Sequence, residues 1–110
     1  MDAATQALFE ARARIIKAMA HPTRLFILDH LSKQETCVCD LTEMIGADIS
    51  TVSKHLSVLR SAGIVQDEKR GVQVFYTLKC PCVMSMFACL ESVIESTAKE
   101  QLDLVSCSRS

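Results

Sequence analysis

The chain has 110 residues, 49% of them hydrophobic, and a formal net charge of −1. This length suits one domain spanning residues 1–110, and the apolar content is typical of a globular protein. No apolar run reaches the roughly 18 residues of a membrane span, and the N-terminus lacks the basic and apolar regions of a signal peptide. We therefore expect a cytoplasmic protein with no membrane partner.

Six cysteines are a high density for a chain of this length. Without a signal peptide, this density favours metal binding or thiol chemistry over a disulfide framework. The chain contains no Cys-x-x-Cys motif and no glycine-rich phosphate loop. We therefore expect neither an enzyme, such as a thiol oxidoreductase, nor an organic cofactor.

The first half of the chain shows helical periodicity. An amphipathic helix is predicted over residues 6–20, and a second helix begins at Pro22, because proline suits the first turn of a helix. A third, short helix runs from about Cys39 to Ile45 and stops at Gly46. A fourth helix, capped by Asp48 or Ser50, ends near residue 62.

The apolar period then changes from that of a helix to that of a strand. Residues 64–66 predict one strand, residues 69–71 a turn, and the alternation from Val72 to Leu78 a second strand. A last helix begins near Pro81 and carries a wide apolar stripe. From the pattern alone, this stripe is either a dimer seam or packs on its own domain.

These elements predict a winged helix-turn-helix fold, mainly α-helical with a small β-hairpin wing. The helix-turn-helix covers residues 39–62 and the wing residues 64–78. The second helix of such a pair enters the major groove of DNA, and hydroxyls and cations on its exposed side contact phosphates and base edges. The predicted DNA-binding residues are Ser50, Thr51, Ser53, Lys54, His55 and Ser57 on the helix and Lys69 and Arg70 at the wing tip. For His55, a structural role in the core is nearly as well supported by the pattern.

The chain resembles the ArsR/SmtB family of metal-sensing repressors. The similarity lies in residues 21–28 (HPTRLFIL), 37–41 (CVCDL), 50–59 (STVSKHLSVL), 63–65 and 75–78, and it extends over roughly residues 10–95. The resemblance implies a homodimer built by the first and last helices, residues 6–20 and 81–105. It also implies repression of metal efflux or detoxification operons, with release of the DNA when metal binds. A twofold dimer implies a pseudo-palindromic double-stranded operator.

Two Cys-x-Cys pairs lie at predicted helix starts, Cys37 with Cys39 and Cys80 with Cys82. Residues two apart on a regular helix point about 200° apart, so both sulfurs can face one ion only if the first lies outside the helix. Within the family, the first pair resembles the thiol site of arsenite, cadmium and lead sensors. Thr42 stands where arsenite sensors place a third cysteine, and no cysteine precedes Cys37.

The second pair occupies the place where zinc-sensing relatives begin the last helix with an aspartate and a histidine. Cysteines there favour soft ions. The coordination is completed in one of two ways. Either Cys89 joins Cys80 and Cys82, from the other subunit or because the helix begins late, or the two pairs form one site. We expect at most an auxiliary role for Cys107.

The sequence thus predicts a repressor released from its operator by a thiolate-coordinated soft metal or metalloid. As(III) is the first candidate, followed by Cd(II), Pb(II) and Zn(II). The alternative is a repressor of the same fold that senses oxidants or reactive sulfur through a disulfide or polysulfide between two thiols.

Overall fold

The computed structural model describes residues 1–109, and the side chains of residues 1–103. The helices are Ala3–Met19 (α1), Pro22–Lys33 (α2), Val38–Ile45 (α3), Ile49–Ser61 (α4) and Ser85–Arg109 (α5). The strands are Thr36–Cys37 (β1), Val65–Arg70 (β2) and Gln73–Leu78 (β3), and a 3-10 helix spans Pro81–Met84. The predicted winged helix-turn-helix fold is confirmed.

Local signals set the helix boundaries. Pro22 is the first residue of α2, and the Nδ1 atom of His21 caps this helix by accepting from the backbone N–H of Thr23. Gly46 ends α3 with a φ of 77°, a left-handed conformation that glycine adopts without strain. Asp48, one of the two predicted caps, is the N-cap of α4.

The sheet has the order β1-β3-β2, and its outer strand β1 was not predicted. In the wing, the register runs from Val65 opposite Leu78 to Arg70 opposite Gln73, which leaves a two-residue turn at positions 71–72. The prediction of a turn at residues 69–71 was wrong, because Lys69 and Arg70 are the last residues of β2. Gly71, with a φ of 62°, supplies the conformation that a two-residue hairpin turn needs.

The core lies between α2, α3, α4 and the sheet. Its fully buried side chains are those of Ile27, Leu28, Leu41, Val52, Leu56, Leu59 and Val65. Tyr76 on β3 is buried, whereas Val72 is 99% exposed at the wing tip.

The last helix leaves the core soon after it begins. The predicted start at Pro81 is that of the 3-10 helix, and the α-helix begins four residues later. Phe87 is the last partly buried side chain of the described part of α5. Leu90, Val93 and Ile94 are exposed, so the apolar stripe does not pack on its own domain. None of the described helices is both long and apolar enough to cross a membrane.

Candidate DNA interface and thiol sites

Helix α4 divides cleanly into a buried side and an exposed side. Val52, Leu56 and Leu59 are fully buried. The opposite side carries six exposed polar residues, here called the α4 polar face: Ser50, Thr51, Ser53, Lys54, Ser57 and Ser61. The structure thus exposes every predicted residue of this helix except His55.

The N-terminus of α4 already holds a negative charge. The carboxylate of Asp48 accepts from the backbone N–H of Thr51 at 2.7 Å and from the Ser50 hydroxyl at 3.0 Å. Hydrogen bonds from Thr51, and then from Ser50, lower the pKa of Asp48. A phosphate at this helix end would meet a carboxylate, so Ser53, Lys54 and Ser57 are the residues best placed to contact DNA.

His55 is half-buried between α4 and α2. Its Nδ1 atom accepts from Arg24 Nε at 3.0 Å, and its ring lies 4.4 Å from that of His21. Burial, followed by the nearby His21 and Arg24, lowers the pKa of His55. A neutral His55 therefore links the two helices, which favours its structural role over a DNA contact.

The two cations at the end of β2 have different surroundings. Arg70 donates from Nη2 to Glu35 at 2.8 Å and to Glu68 at 2.9 Å, and its guanidinium lies 4.7 Å from the centre of the Phe75 ring. Lys69 is exposed and makes no ion pair with any described residue. Lys69 is therefore the wing cation that is free to meet DNA.

The first cysteine pair is split between core and solvent. Cys37 is the N-cap of α3 and is only 4% exposed, whereas Cys39 is exposed. Cys37 thus lies outside the helix, as a shared ion would require. In this conformation, however, the two thiols do not share one environment.

One cysteine of the second pair contacts the segment that follows helix α4. Cys80 and Cys82 are both exposed, and the Cys80 thiol lies 3.7 Å from the carbonyl oxygen of Gly63, to which it donates. Gly63 follows Ala62, the C-cap of α4, and donates its own N–H to the carbonyl of Arg60 at 3.0 Å. The Cys80 thiol is therefore linked to the end of the proposed DNA-binding helix.

The five cysteines whose side chains are described do not assemble into one site within a chain. Cys37 lies opposite Phe75 on β3, and Cys80 comes five residues later, beyond the end of that strand. Three strand residues alone span about 10 Å, so the predicted pooling of both pairs is not met in one subunit. Among the described residues, no three His, Cys, Asp or Glu side chains come together in a way that could hold a metal ion.

Cys89 is also distant from Cys82 along its own chain. The α-helix does begin late, at Ser85. The preceding 3-10 helix rises about 2.0 Å per residue and the α-helix about 1.5 Å, which puts about 12 Å between the two positions. The late start therefore does not close the site within one chain. Cys107 lies outside the residues whose side chains are described.

Comparison with known proteins identifies the family. Residues 21–67 match the model of the bacterial regulatory protein arsR family. The HTH-type transcriptional regulator YgaV of Escherichia coli K12 is 35% identical over 89 residues, covering 80% of this chain and 90% of YgaV. The chain belongs to the ArsR family.

Two further ArsR relatives bear on function and assembly. The transcriptional repressor SmtB homolog of Synechocystis is 37% identical over 75 residues, 68% of this chain and 57% of the relative. The homodimeric winged helix-turn-helix DNA-binding domain of Mb0332 from Mycobacterium bovis superimposes with a TM-score of 0.76. It is 29% identical, and the match covers 91% of this chain and 93% of that domain. This ArsR protein is accordingly a DNA-binding transcriptional repressor and not an enzyme.

Sequence reasoning missed three residues that organise this ArsR site. Arg24 positions His55, Glu35 binds Arg70, and Gly63 accepts from Cys80. Arg24 and Gly63 stood in recognised segments, residues 21–28 and 63–65, but nothing in the sequence paired them with His55 or Cys80. The other two contacts join residues 35 and 17 positions apart and have no local signal.

Proposed function

We propose that this ArsR repressor leaves its operator when a soft ion binds the thiolates of Cys80 and Cys82. As(III) is the first candidate, and Cd(II) and Pb(II) follow, because thiolates select soft ions. The observation that supports this site is the hydrogen bond from the Cys80 thiol to the carbonyl of Gly63, at the end of α4. Among the described residues, the Cys39 side chain makes no hydrogen bond to α4 or to the residues that follow it.

Ion binding would break this link for a simple chemical reason. A cysteine must lose its proton to coordinate a metal, and a thiolate has no proton to donate. The Gly63 carbonyl would then face a second acceptor, so Cys80 and the end of α4 would move apart. The backbone N–H of Lys79 also donates to the Ile64 carbonyl at 2.8 Å. A movement of Cys80 would therefore also displace the segment that connects α4 to β2.

The third ligand would come from the second subunit. As(III) takes three thiolates, and the described residues of one chain supply two at this place. Cys89 is exposed on α5, the helix that leaves an apolar stripe uncovered. In a dimer formed through α5, Cys89 of one subunit would complete the site begun by Cys80 and Cys82 of the other.

Release then follows from linkage. The ion binds more tightly to a dimer whose α4 helices are wrongly placed for DNA, and the operator weakens ion binding by the same factor. A coupling free energy of about 1–3 kcal/mol lowers operator affinity about 5- to 150-fold.

The test is operator binding measured by fluorescence anisotropy under strict reduction, with As(III), Cd(II), Pb(II) and Zn(II) titrated in turn. Cys80→Ser keeps a donor for Gly63 but removes the soft ligand, so we expect this variant to bind DNA normally and to ignore As(III). Cys39→Ser is the matched control and should respond as wild type does. A Cys39→Ser variant that ignores As(III), beside a responsive Cys80→Ser, would move the site to α3.

Cys80→Ala tests the link itself. This variant removes the donor without any ion, so its operator affinity should fall about twofold, since such a sulfur hydrogen bond contributes about 0.5 kcal/mol. Cys80→Ser should show no such loss. Equal operator affinity for the Ala and Ser variants in the absence of metal would contradict the proposed route.

Thiol oxidation is the second candidate. It is favoured because Cys80 and Cys82 are both exposed and no third potential metal ligand lies beside them among the described residues. Two thiols would lose two protons and two electrons to form a disulfide, and a peroxide or polysulfide would accept them. If no ion releases DNA, but hydrogen peroxide or polysulfide does so and dithiothreitol reverses it, the repressor is a redox sensor.

A further inference from the structure

A cleft of about 470 Å³ lies between α1 and the C-terminal half of α4. Its polar lining consists of three cations and two hydroxyls, Arg14, Lys17, Arg24, Ser57 and Ser61, and no carboxylate lines it. We propose that this basic cleft binds a phosphate-type anion. The thiol chemistry proposed above uses none of these residues.

No carboxylate of the described residues is paired with any of the three cations. Arg14, Lys17 and Arg24 form no ion pair with any described residue. In a protein of net charge −1, three unneutralised cations around one concave surface form a local positive field that attracts anions.

Two hydrogen bonds fix the Arg24 side chain at the cleft. Its Nε donates to His55 at 3.0 Å and its Nη1 to the Ala18 carbonyl at 3.2 Å. Its Nη2 has no acceptor among the described residues and remains available for a phosphate oxygen. The bond to Ala18 also satisfies a carbonyl at the end of α1 that would otherwise repel an anion.

The cleft continues the α4 polar face. Ser57 and Ser61 are one helical turn apart and follow Ser50 and Lys54 along the same side of the helix. The Asp48 carboxylate occupies the N-terminus of α4. A phosphate beside this helix would therefore be attracted to the cations of the cleft, which lies beside the C-terminal half of α4. A DNA strand contacting Lys54 would pass close to the cleft.

A dimer seam on α1 would leave the cleft open. Phe9 and Ile16 of α1 are 51% and 52% exposed and form an apolar surface suited to a second subunit. Arg14 precedes Ile16 by two residues and therefore points about 160° away from it. Dimerisation through Phe9 and Ile16 would therefore leave Arg14 uncovered.

The anion has two sources, a phosphate of the operator backbone or free phosphate. For DNA as the source, the site rests on the proposed DNA contacts of α4. The first arm of the test compares Arg14→Gln and Lys17→Gln with Lys33→Gln, which removes the same charge from the exposed end of α2. Binding to the operator and to a scrambled duplex is measured without effector over a range of salt concentrations.

If the cleft binds DNA phosphate, the cleft variants should weaken both duplexes by the same factor. The slope of log affinity against log salt should fall by about two per dimer, because each of two subunits loses one phosphate contact. Lys33→Gln should keep the wild-type slope. Lys54→Ala distinguishes failure of the proposed α4 contacts from failure of the cleft proposal. Unchanged DNA binding in Lys54→Ala would refute the α4 contacts, whereas the cleft variants test the cleft independently.

The second arm titrates inorganic phosphate into wild-type protein without DNA, against chloride at equal ionic strength. Changes in the backbone amide NMR signals of Lys17 and Ser61 that disappear in Arg14→Gln, with unchanged salt slopes, would support the cleft with free phosphate as its ligand. Wild-type salt slopes in both cleft variants, together with no phosphate-specific NMR change, would overturn the proposal.

Discussion

At the scale of single residues, the structure separates side chains that the sequence treated alike. His55 stood among six candidate DNA contacts on α4, yet it is the one that turns toward α2 and accepts from Arg24. The other five are exposed. Helical periodicity placed His55 beside the core stripe, but only the position of Arg24, 31 residues earlier, decides between the two roles.

The His55 contact predicts a pH dependence of stability. Burial lowers the pKa of His55 in the folded protein below its ordinary value of about 6.5, so the unfolded chain binds more protons in this range. The stabilisation is therefore present above about pH 6.5 and is lost as the pH falls through the lower folded pKa. Urea unfolding at several pH values should show the free energy of unfolding decreasing from neutral to mildly acidic pH.

His55→Asn is the matched variant, since its side-chain oxygen can still accept from Arg24 but does not titrate. Its free energy of unfolding should depend less on pH than that of wild type. Identical pH profiles for the two proteins would show that another group controls acid stability.

At the scale of elements, the wing is tied to the rest of the domain by one of its own cations. Arg70 at the end of β2 binds Glu35 in the loop between α2 and β1. Lys69, one residue earlier, has no ion-pair partner within the described part of the chain. We therefore expect the two adjacent positive charges to have separable effects, one on wing stability and one on DNA binding.

Alanine substitution at each position tests this division. Arg70→Ala should lower the free energy of unfolding more than Lys69→Ala does, because it removes an exposed ion-pair network and a cation–π contact. Lys69→Ala removes the same charge, and should leave unfolding within about 0.5 kcal/mol of wild type while weakening operator binding. Urea unfolding and fluorescence anisotropy measure the two effects. If Arg70→Ala weakens DNA binding as Lys69→Ala does and leaves stability intact, Arg70 is a DNA contact after all.

At the scale of the whole molecule, the chain carries apolar surfaces that its own fold does not cover. On α5, Val93 and Ile94 are 62% and 66% exposed, and on α1, Phe9 and Ile16 are about half exposed. The related Mb0332 domain is homodimeric. We propose that α1 and α5 pair with a second copy and so set the distance between two α4 helices.

Ile94→Glu should break this assembly, because it places a charge within the apolar surface. Ser92→Glu adds the same charge about 160° around the helix and is the control. Sedimentation velocity should show a monomer only for Ile94→Glu, and its operator affinity should fall about a hundredfold or more as two-site binding is lost. A dimeric Ile94→Glu protein would place the seam elsewhere.

The helices and several of their ends were predictable because the forces that set them are local, although α1 begins at Ala3, three residues before the predicted start. A helix forms bonds between residues four apart and buries one side at a fixed period, so Pro22, Gly46 and the stripe of Val52, Leu56 and Leu59 identify it in the sequence alone. The wing turn was misplaced by two residues, because alternation marks a strand better than it marks the strand's end. The strand β1 was missed because it has only two residues, which is too short to show an alternating apolar pattern.

The sequence by itself determined the family, the fold and the presence of two cysteine pairs at helix starts. The tertiary structure alone decided that Cys80 contacts Gly63, that Arg70 binds Glu35, and that cations of α1 and α2 line a cleft beside α4. The reason is the range of the interactions. Contacts within one helical turn follow from neighbouring residues, whereas contacts between distant segments exist only after burial of the common core has brought those segments together.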